Sequence, residues 1–246
     1  MALKAAPADQ ALLLDLQAFD TKLAQLDHRA KTLPELATIA GFAKDADALR
    51  LALATQNGAL EDTRLELSRV ESDVQVVEQR IARDSERLQG TSSVKDVSAL
   101  EQELTALRKR LGDLEEIELT VMEKLEEQQV LADNSTSALD ALVARSAEVE
   151  AERDAALASI AADRTAAEGG RAEIAARVPA DLLALYERQR ARYGVGASHL
   201  RGGVSLASGV KLLENEMAAI RAAAPDDVIM CASSEGILVR TAESGL

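Results

Sequence analysis

The sequence predicts a mainly α protein, a long antiparallel coiled-coil helical hairpin followed by a small α+β module. Three observations carry this reading. Apolar residues recur in a three-four step on both sides of a short break near residue 90, aromatics make up only 2% of the 246 residues with no Trp, and short β-like pieces appear only toward the C-terminal end. A repeat of 3.5 residues lays a narrow apolar seam along a slightly underwound helix, which a coiled coil buries. A thick globular core draws on large rings, so a chain this poor in them places its apolar content in a long thin seam.

The first helix is expected to start near Ala8 and carry Leu12, Leu16, Phe19, Leu23 and Leu26 on one face. Leu33-Pro34-Glu35 interrupts it, because proline disfavours helix for the residue before it and suits a first turn. A second helix runs from Pro34 to the break, with Gly41 and Gly58 weakening it without ending it. Its seam is Leu60, Leu67, Val70, Val74, Val77, Ile81 and Leu88. The return helix repeats the step with Val97, Leu100, Leu104, Leu107, Leu111, Leu114, Ile117, Val121 and Leu125. Between them, Gln89-Gly90-Thr91-Ser92-Ser93 is too short for anything but a reversal. Gly90 suits a left-handed residue closing one helix, and Ser93-Val94-Lys95-Asp96 reads as a capping box opening the next.

The return helix loosens at Asp133-Asn134-Ser135-Thr136-Ser137, resumes with Leu139, Leu142, Val149, Leu157 and Ile160, and is expected to end near Glu168-Gly169-Gly170. Pro179 opens a short helix, Ala180 to Tyr193, and a glycine-rich segment follows from Gly194 to Gly203. Val228-Ile229-Met230 and Ile237-Leu238-Val239 then read as strand pieces around one helix, Lys211 to Ala223. Val204, Leu206, Val210, Leu212, Leu213, Met217, Ile220 and Met230 are the expected core of this part. The domain division expected is 1–178 for the hairpin and 179–246 for the linker helix and the small module.

Charged residues reach 28% and the net charge is −14, which excludes wrapping of nucleic acid by the whole surface but leaves room for a local basic site. No apolar run approaches the ~20 residues that span a bilayer, and Met1-Ala2-Leu3-Lys4-Ala5-Ala6-Pro7 lacks the apolar centre of a signal peptide. A single cysteine, Cys231, rules out an internal disulfide. A soluble cytoplasmic protein without membrane contact is expected.

Several stretches together resemble the bacterial proteins that carry a coiled-coil hairpin followed by a C4-type zinc ribbon. They are Ser93-Val94-Lys95-Asp96 through Leu100-Glu101 to Leu114-Glu115-Glu116-Ile117-Glu118-Leu119 and Met122-Glu123; Pro179-Ala180-Asp181-Leu182-Leu183-Ala184-Leu185-Tyr186-Glu187-Arg188; and Arg221-Ala222-Ala223-Ala224-Pro225-Asp226-Asp227-Val228-Ile229 with Gly236-Ile237-Leu238-Val239-Arg240. The resemblance implies two Cys-x-x-Cys pairs holding one tetrahedral zinc. Here the first pair aligns with Ser205 and Ser208, and the second with Cys231 and Ser234. A neutral hydroxyl is a poor zinc ligand beside a thiolate, and the histidines, His28 and His199, cannot complete a site. The chain therefore resembles a degenerate member with no metal and no cofactor.

Arg188, Arg190, Arg192 and Arg201, with Tyr193 and His199, form the one basic stretch that includes an aromatic. Arginine can grip phosphate bidentately and tyrosine can stack on an exposed base, while a solvated linker helix explains the same residues. Gly194-Val195-Gly196 and Arg201-Gly202-Gly203 lie in no strand–loop–helix unit and read as turns. The hairpin tip, with Gly90, Thr91, Ser92, Ser93 and Lys95, is a second candidate, exposed by construction. Glu115, Glu116 and Glu118 read as a solvated face, and Cys231 as a relic of the lost zinc site.

No nucleophile–base pair is visible, so the chain is expected not to be an enzyme. The leading expectation is an adaptor or chaperone-like interaction protein that presents the tip and a metal-free ribbon-like module to a protein partner. The alternative is an RNA-binding protein acting through Arg188 to Arg201. The seam can be satisfied within a monomer, and a dimer is open through the alanine-rich arms.

Overall fold

The three-four step continues for most of the chain, so most of the chain becomes helix. The structure, a computed structural model, describes residues 3–246. Helix α1 (Pro7–Lys31) ends at Thr32, and α2 (Pro34–Gly90) begins at the expected proline and runs to the reversal without a break. After Thr91-Ser92-Ser93, α3 (Val94–Ala175) returns. The reversal lies where the sequence places it, but its chemistry differs. Gly90 is the last helical residue and is absent from the positive-φ glycines. The Ser93 carbonyl accepts the Val97 N–H at 2.9 Å, and Thr91 Oγ1 accepts the Ser93 N–H at 3.4 Å, in place of a Ser93–Asp96 box.

Residues 35–151 form one compact unit, the hairpin proper. Leu60, Leu100, Leu104, Leu114 and Val121 are buried in its seam. Ile117, expected there, is 43% exposed. The 3.5-residue step carries the seam from Leu114 to Val121, one full heptad on, and leaves Ile117 on its rim. Pairs across the two helices include Arg80–Glu103 and Lys124–Glu66, all exposed, so each adds little.

One seam position breaks the apolar rule. Asp84 falls three residues after Ile81 and four before Leu88, and it is 3% exposed. Arg87 donates to Oδ1 at 3.3 Å, while Oδ2 has no hydrogen-bond partner and sees Arg80 Nε only at 4.0 Å. A half-satisfied polar group in a seam fixes register at a cost in stability. Asp84→Leu is therefore expected to raise the melting temperature of the hairpin, by roughly 1 kcal/mol or more of stability. A lower melting temperature would show that the two arginines outweigh the desolvation of Asp84.

The second unit comprises residues 1–34 and 152–246. It contains α1, the end of α3, α4 (Ala180–Tyr193) and a five-stranded sheet of order β3-β2-β1-β5-β4. The strands are β1 (Ala197–Arg201), β2 (Val204–Ser205), β3 (Val210–Lys211), β4 (Ile229–Met230) and β5 (Ile237–Val239), and α5 (Glu214–Ala222) lies between β3 and β4. Strand β1 runs parallel to β5, with His199 opposite Val239, and antiparallel to β2. The segment read as glycine-rich therefore supplies the central strand. Its glycines sit at the ends, where Gly194 (φ 81°) caps α4 and Gly202 and Gly203 turn β1 into β2.

Helix α3 does not end at Gly169-Gly170 but continues to Ala175. Gly170 is there for a close approach: a Cβ on it would come within 2.5 Å of the Phe19 ring. Leu13, Leu16, Val178, Leu182 and Tyr186 pack with Ala197, Ile237 and Val239 of the sheet in one core. A second core holds Leu200, Leu212, Met217, Ile220, Cys231 and Leu238. Of the residues expected in that core, Met230 is exposed, and Leu206, Val210 and Leu213 are 52–65% exposed, because strands two residues long cannot turn every apolar side chain inward. The N-terminal segment joins in through its backbone, Ala5 N–H donating to the Asp226 carbonyl and Val228 N–H to the Leu3 carbonyl.

Candidate functional site

Of the positions expected to align with zinc ligands, Ser205 touches the Cys231 sulfur directly, and Ser208 reaches it only through Ser233. Two turns of the same form present them. Gly209 N–H donates to the Ser205 carbonyl and Glu235 N–H to the Cys231 carbonyl, each at 2.8 Å. In both turns the fourth residue on is left-handed, Gly209 at φ 68° and Glu235 at φ 56°. Glycine adopts this freely, whereas Glu235 holds it against a steric cost.

Inside the two turns, the Cys231 thiol lies 3.3 Å from Ser205 Oγ and 3.2 Å from Ser233 Oγ, and Ser233 Oγ donates to Ser208 Oγ at 3.0 Å. Ser198 extends the network, 3.3 Å from Ser205 and accepting the Ala207 N–H. Ser234 Oγ is buried with no hydrogen-bond partner. Ser233, rather than the aligned Ser234, closes the ring of contacts.

Burial pushes the Cys231 thiol up, but the hydroxyls around it, Ser205 first, more than offset burial and bring it down to about 7. Its folded value is thus below its ordinary value of 9.0. The thiolate stabilises the fold fully above that ordinary value, and the contribution is lost as pH falls through about 7. Wild type is expected to gain stability over Cys231→Ser between pH 7 and 9 and to show a constant difference below that range. Parallel melting curves across the whole range would remove this role for the thiol.

One thiolate and three neutral hydroxyls do not fit a structural zinc. Among the described residues no three His, Cys, Asp or Glu side chains gather as a ligand set. The purified protein is expected to hold no stoichiometric zinc, and chelator is expected to leave the module unchanged. Elemental analysis at one zinc per chain would overturn this.

The basic stretch does not converge on one surface. Arg190 is bound to Glu187, at 2.8 and 3.0 Å, and to Asp20 at 3.2 Å. Arg201 pairs with Glu243 at 3.0 Å, and His199 Nε2 shares a 2.5 Å hydrogen bond with Thr241 Oγ1. Arg192 lies over the Tyr193 ring, 5.2 Å from its centroid, and Arg188 is exposed. His199 also lines a cleft of about 790 Å³ between α1 and β1, together with Leu14, Lys22, Val195 and Leu206. At the hairpin tip Val94 is 85% exposed, with Ser92, Ser93 and Lys95 beside it in solvent.

A model of the CT398-like coiled coil hairpin domain matches residues 16–194. This chain belongs to the CT398-like coiled-coil hairpin family. The family match ends at the cap of α4, just before β1. The Mycobacterium tuberculosis protein Rv2229c is 35% identical over 239 residues, covering 97% of this chain and 98% of its own. A solved structure from Mycobacterium smegmatis is 33% identical with a TM-score of 0.88, over 97% of this chain and 100% of that one. CT398 from Chlamydia trachomatis shares the fold at 18% identity and a TM-score of 0.66, over 94% of this chain and 97% of that one. The family matched is a coiled-coil hairpin family and not an enzyme family. Among the described residues no helix is long and apolar enough to cross a membrane.

Sequence reasoning missed an ionic cluster where α1, α3 and α4 meet in this family member. Arg171 grips Asp20 through two nitrogens, at 2.7 and 3.2 Å, and Glu187 at 2.5 Å. Tyr186 donates its hydroxyl to Asp20 at 2.6 Å, and Gln17 accepts the Gly196 N–H at 2.8 Å. The signal was available at Asp20, one position from Phe19 on a helix whose apolar face was already read. Its partners, Arg171 and Tyr186, lie 151 and 166 residues away and had no signal.

Proposed function

We propose that this chain is a non-enzymatic adaptor of the cytoplasm, presenting its hairpin tip and a metal-free, zinc-ribbon-like module to protein partners. The observation that carries the reading is the apolar surface of the module. Leu206, Val210 and Leu213 stand 54%, 52% and 65% exposed on a small unit that already has two filled cores. Exposed apolar side chains gathered on one small module mark an interaction face. The paired turns support descent from a metal ribbon, since they keep the same backbone form while hydroxyl–thiol contacts stand where four metal bonds would be.

The test is cross-linking of the full chain in its native cell with the partners identified, repeated with Leu206→Ser/Leu213→Ser and with Val94→Ser. Loss of the same protein partner in either variant, with melting unchanged, supports the adaptor. Partners equally retained in both would sink it.

RNA binding is a second reading, favoured by the exposure of Arg188, Arg192 and Tyr193 on one end of α4. Salt-dependent RNA binding by the purified chain, lost on Arg188→Ala/Arg192→Ala, would support it. Equal retention by wild type and variant would remove it.

A further inference from the structure

The return helix carries a second apolar stripe, on the face away from the seam. Leu119, Met122 and Val130 follow one another at three and eight residues, and all are about half exposed or more, at 62%, 48% and 53%. At 100° per residue they fall within a wedge of roughly 80°, centred well away from the direction of Leu114 and Val121. The exposed large side chains of α2, Leu36, Leu51, Leu65 and Val76, are by contrast far apart along the helix, each standing singly.

The stripe is interleaved with, and bordered by, charge of one sign, since Glu115 and Glu126 fall within the wedge and Glu123 and Glu127 beside it. None of them has an ion pair among the described residues. The nearby cation Lys124 is engaged by Glu66 on α2. A shallow cleft lies among Glu123, Glu126, Glu127, Val130 and the exposed Leu131. We propose that this face of α3, residues 115–131, docks a basic amphipathic helix of a partner protein, whose leucine-like side chains cover Leu119, Met122 and Val130 while its lysines or arginines meet the four glutamates.

Charge selects this occupant. A second copy would bring acidic rim against acidic rim in a chain of net charge −14, and nucleic acid or an anionic lipid surface would be repelled in the same way. An amphipathic helix docks through anchors that share one face, at i, i+3, i+4 and i+7, and steps of three and eight keep this stripe on one face for such anchors to cover. The site is independent of the tip and of the C-terminal module, so it stands or falls separately from the adaptor reading.

The experiment uses the full chain and a labelled, helix-forming peptide of about 20 residues, long enough to cover the stripe, with leucines on one face and lysines elsewhere. A scrambled peptide of the same composition is the reference. The amphipathic peptide is expected to bind at least about tenfold more tightly than the scrambled one, and cross-links are expected to map to 115–131. Leu119→Ser/Met122→Ser/Val130→Ser should weaken binding about tenfold, whereas Leu51→Ser/Val76→Ser on α2 should leave it unchanged. Glu123→Gln/Glu126→Gln/Glu127→Gln should flatten its salt dependence. Equal binding by the scrambled peptide, or by the apolar triple variant, would overturn the proposal. So would self-association of the chain that the same triple variant abolishes, since a second copy would then cover the face.

Discussion

Asp20→Ala is expected to destabilise the unit formed by residues 1–34 and 152–246 by about 3–5 kcal/mol, the cost of removing one partner from a buried ionic cluster. The Asp20 side chain is 6% exposed and the Arg171 side chain 20%, so solvent screens their pairing little. Without Asp20, Arg171 keeps only Glu187, Arg190 loses its second carboxylate, and the buried Tyr186 hydroxyl loses its 2.6 Å acceptor. A loss of this size is a large share of ordinary domain stability. Hydrogen exchange of α1 and α4 should rise steeply, while exchange in residues 35–151 stays as in wild type. Unchanged exchange in α4 would mean that apolar packing around Leu13, Leu16 and Leu182 holds the unit alone.

The same cluster gives an acid response. Burial alone would raise the Glu187 carboxyl, but the hydrogen bonds from Arg171 and Arg190 outweigh it and hold the group below its ordinary 4.5. That pairing contributes fully above the ordinary value and is lost as pH falls through the lowered folded one. Acid should therefore loosen this unit, and Glu187→Gln should reduce the dependence.

Leu104→Asp is expected to melt the hairpin. Leu104 is 3% exposed in the seam, and an unpaired carboxylate buried there costs several kcal/mol beyond the lost packing of the leucine. Asp84 is not a counterexample, since Arg80 and Arg87 both stand beside it. At three and four residues from Leu104 the helix offers Leu100, Glu101, Leu107 and Arg108, a single cation among them. Leu119→Asp, on the same helix but 62% exposed, should change stability by no more than about 0.5 kcal/mol. Equal melting of the Leu104 and Leu119 variants would show that the seam has been assigned to the wrong face.

The helices and their reversal were legible in the residues alone. A repeat of three and four residues acts locally, so Leu60 to Leu88 and Val97 to Val121 announce a seam without knowledge of any distant contact, and Pro34 and Pro179 mark helix starts through their fixed φ. Ser205 and Ser233 contact the Cys231 sulfur, and Ser208 contacts Ser233, a grouping that residue type alone did not specify. Long-range contacts settle what the periodicity does not encode. Gly170 lies inside a helix because Phe19, distant in sequence, needs the space. Ala197–Arg201 becomes the central strand because β5 and β2 supply its hydrogen bonds from either side. Arg190 and Arg201, alike in sequence to Arg188, turn to carboxylates that the fold brings to them. In the strand a short segment with weak local preference took its conformation from partners distant in sequence, whereas the long helices carried theirs within a single turn.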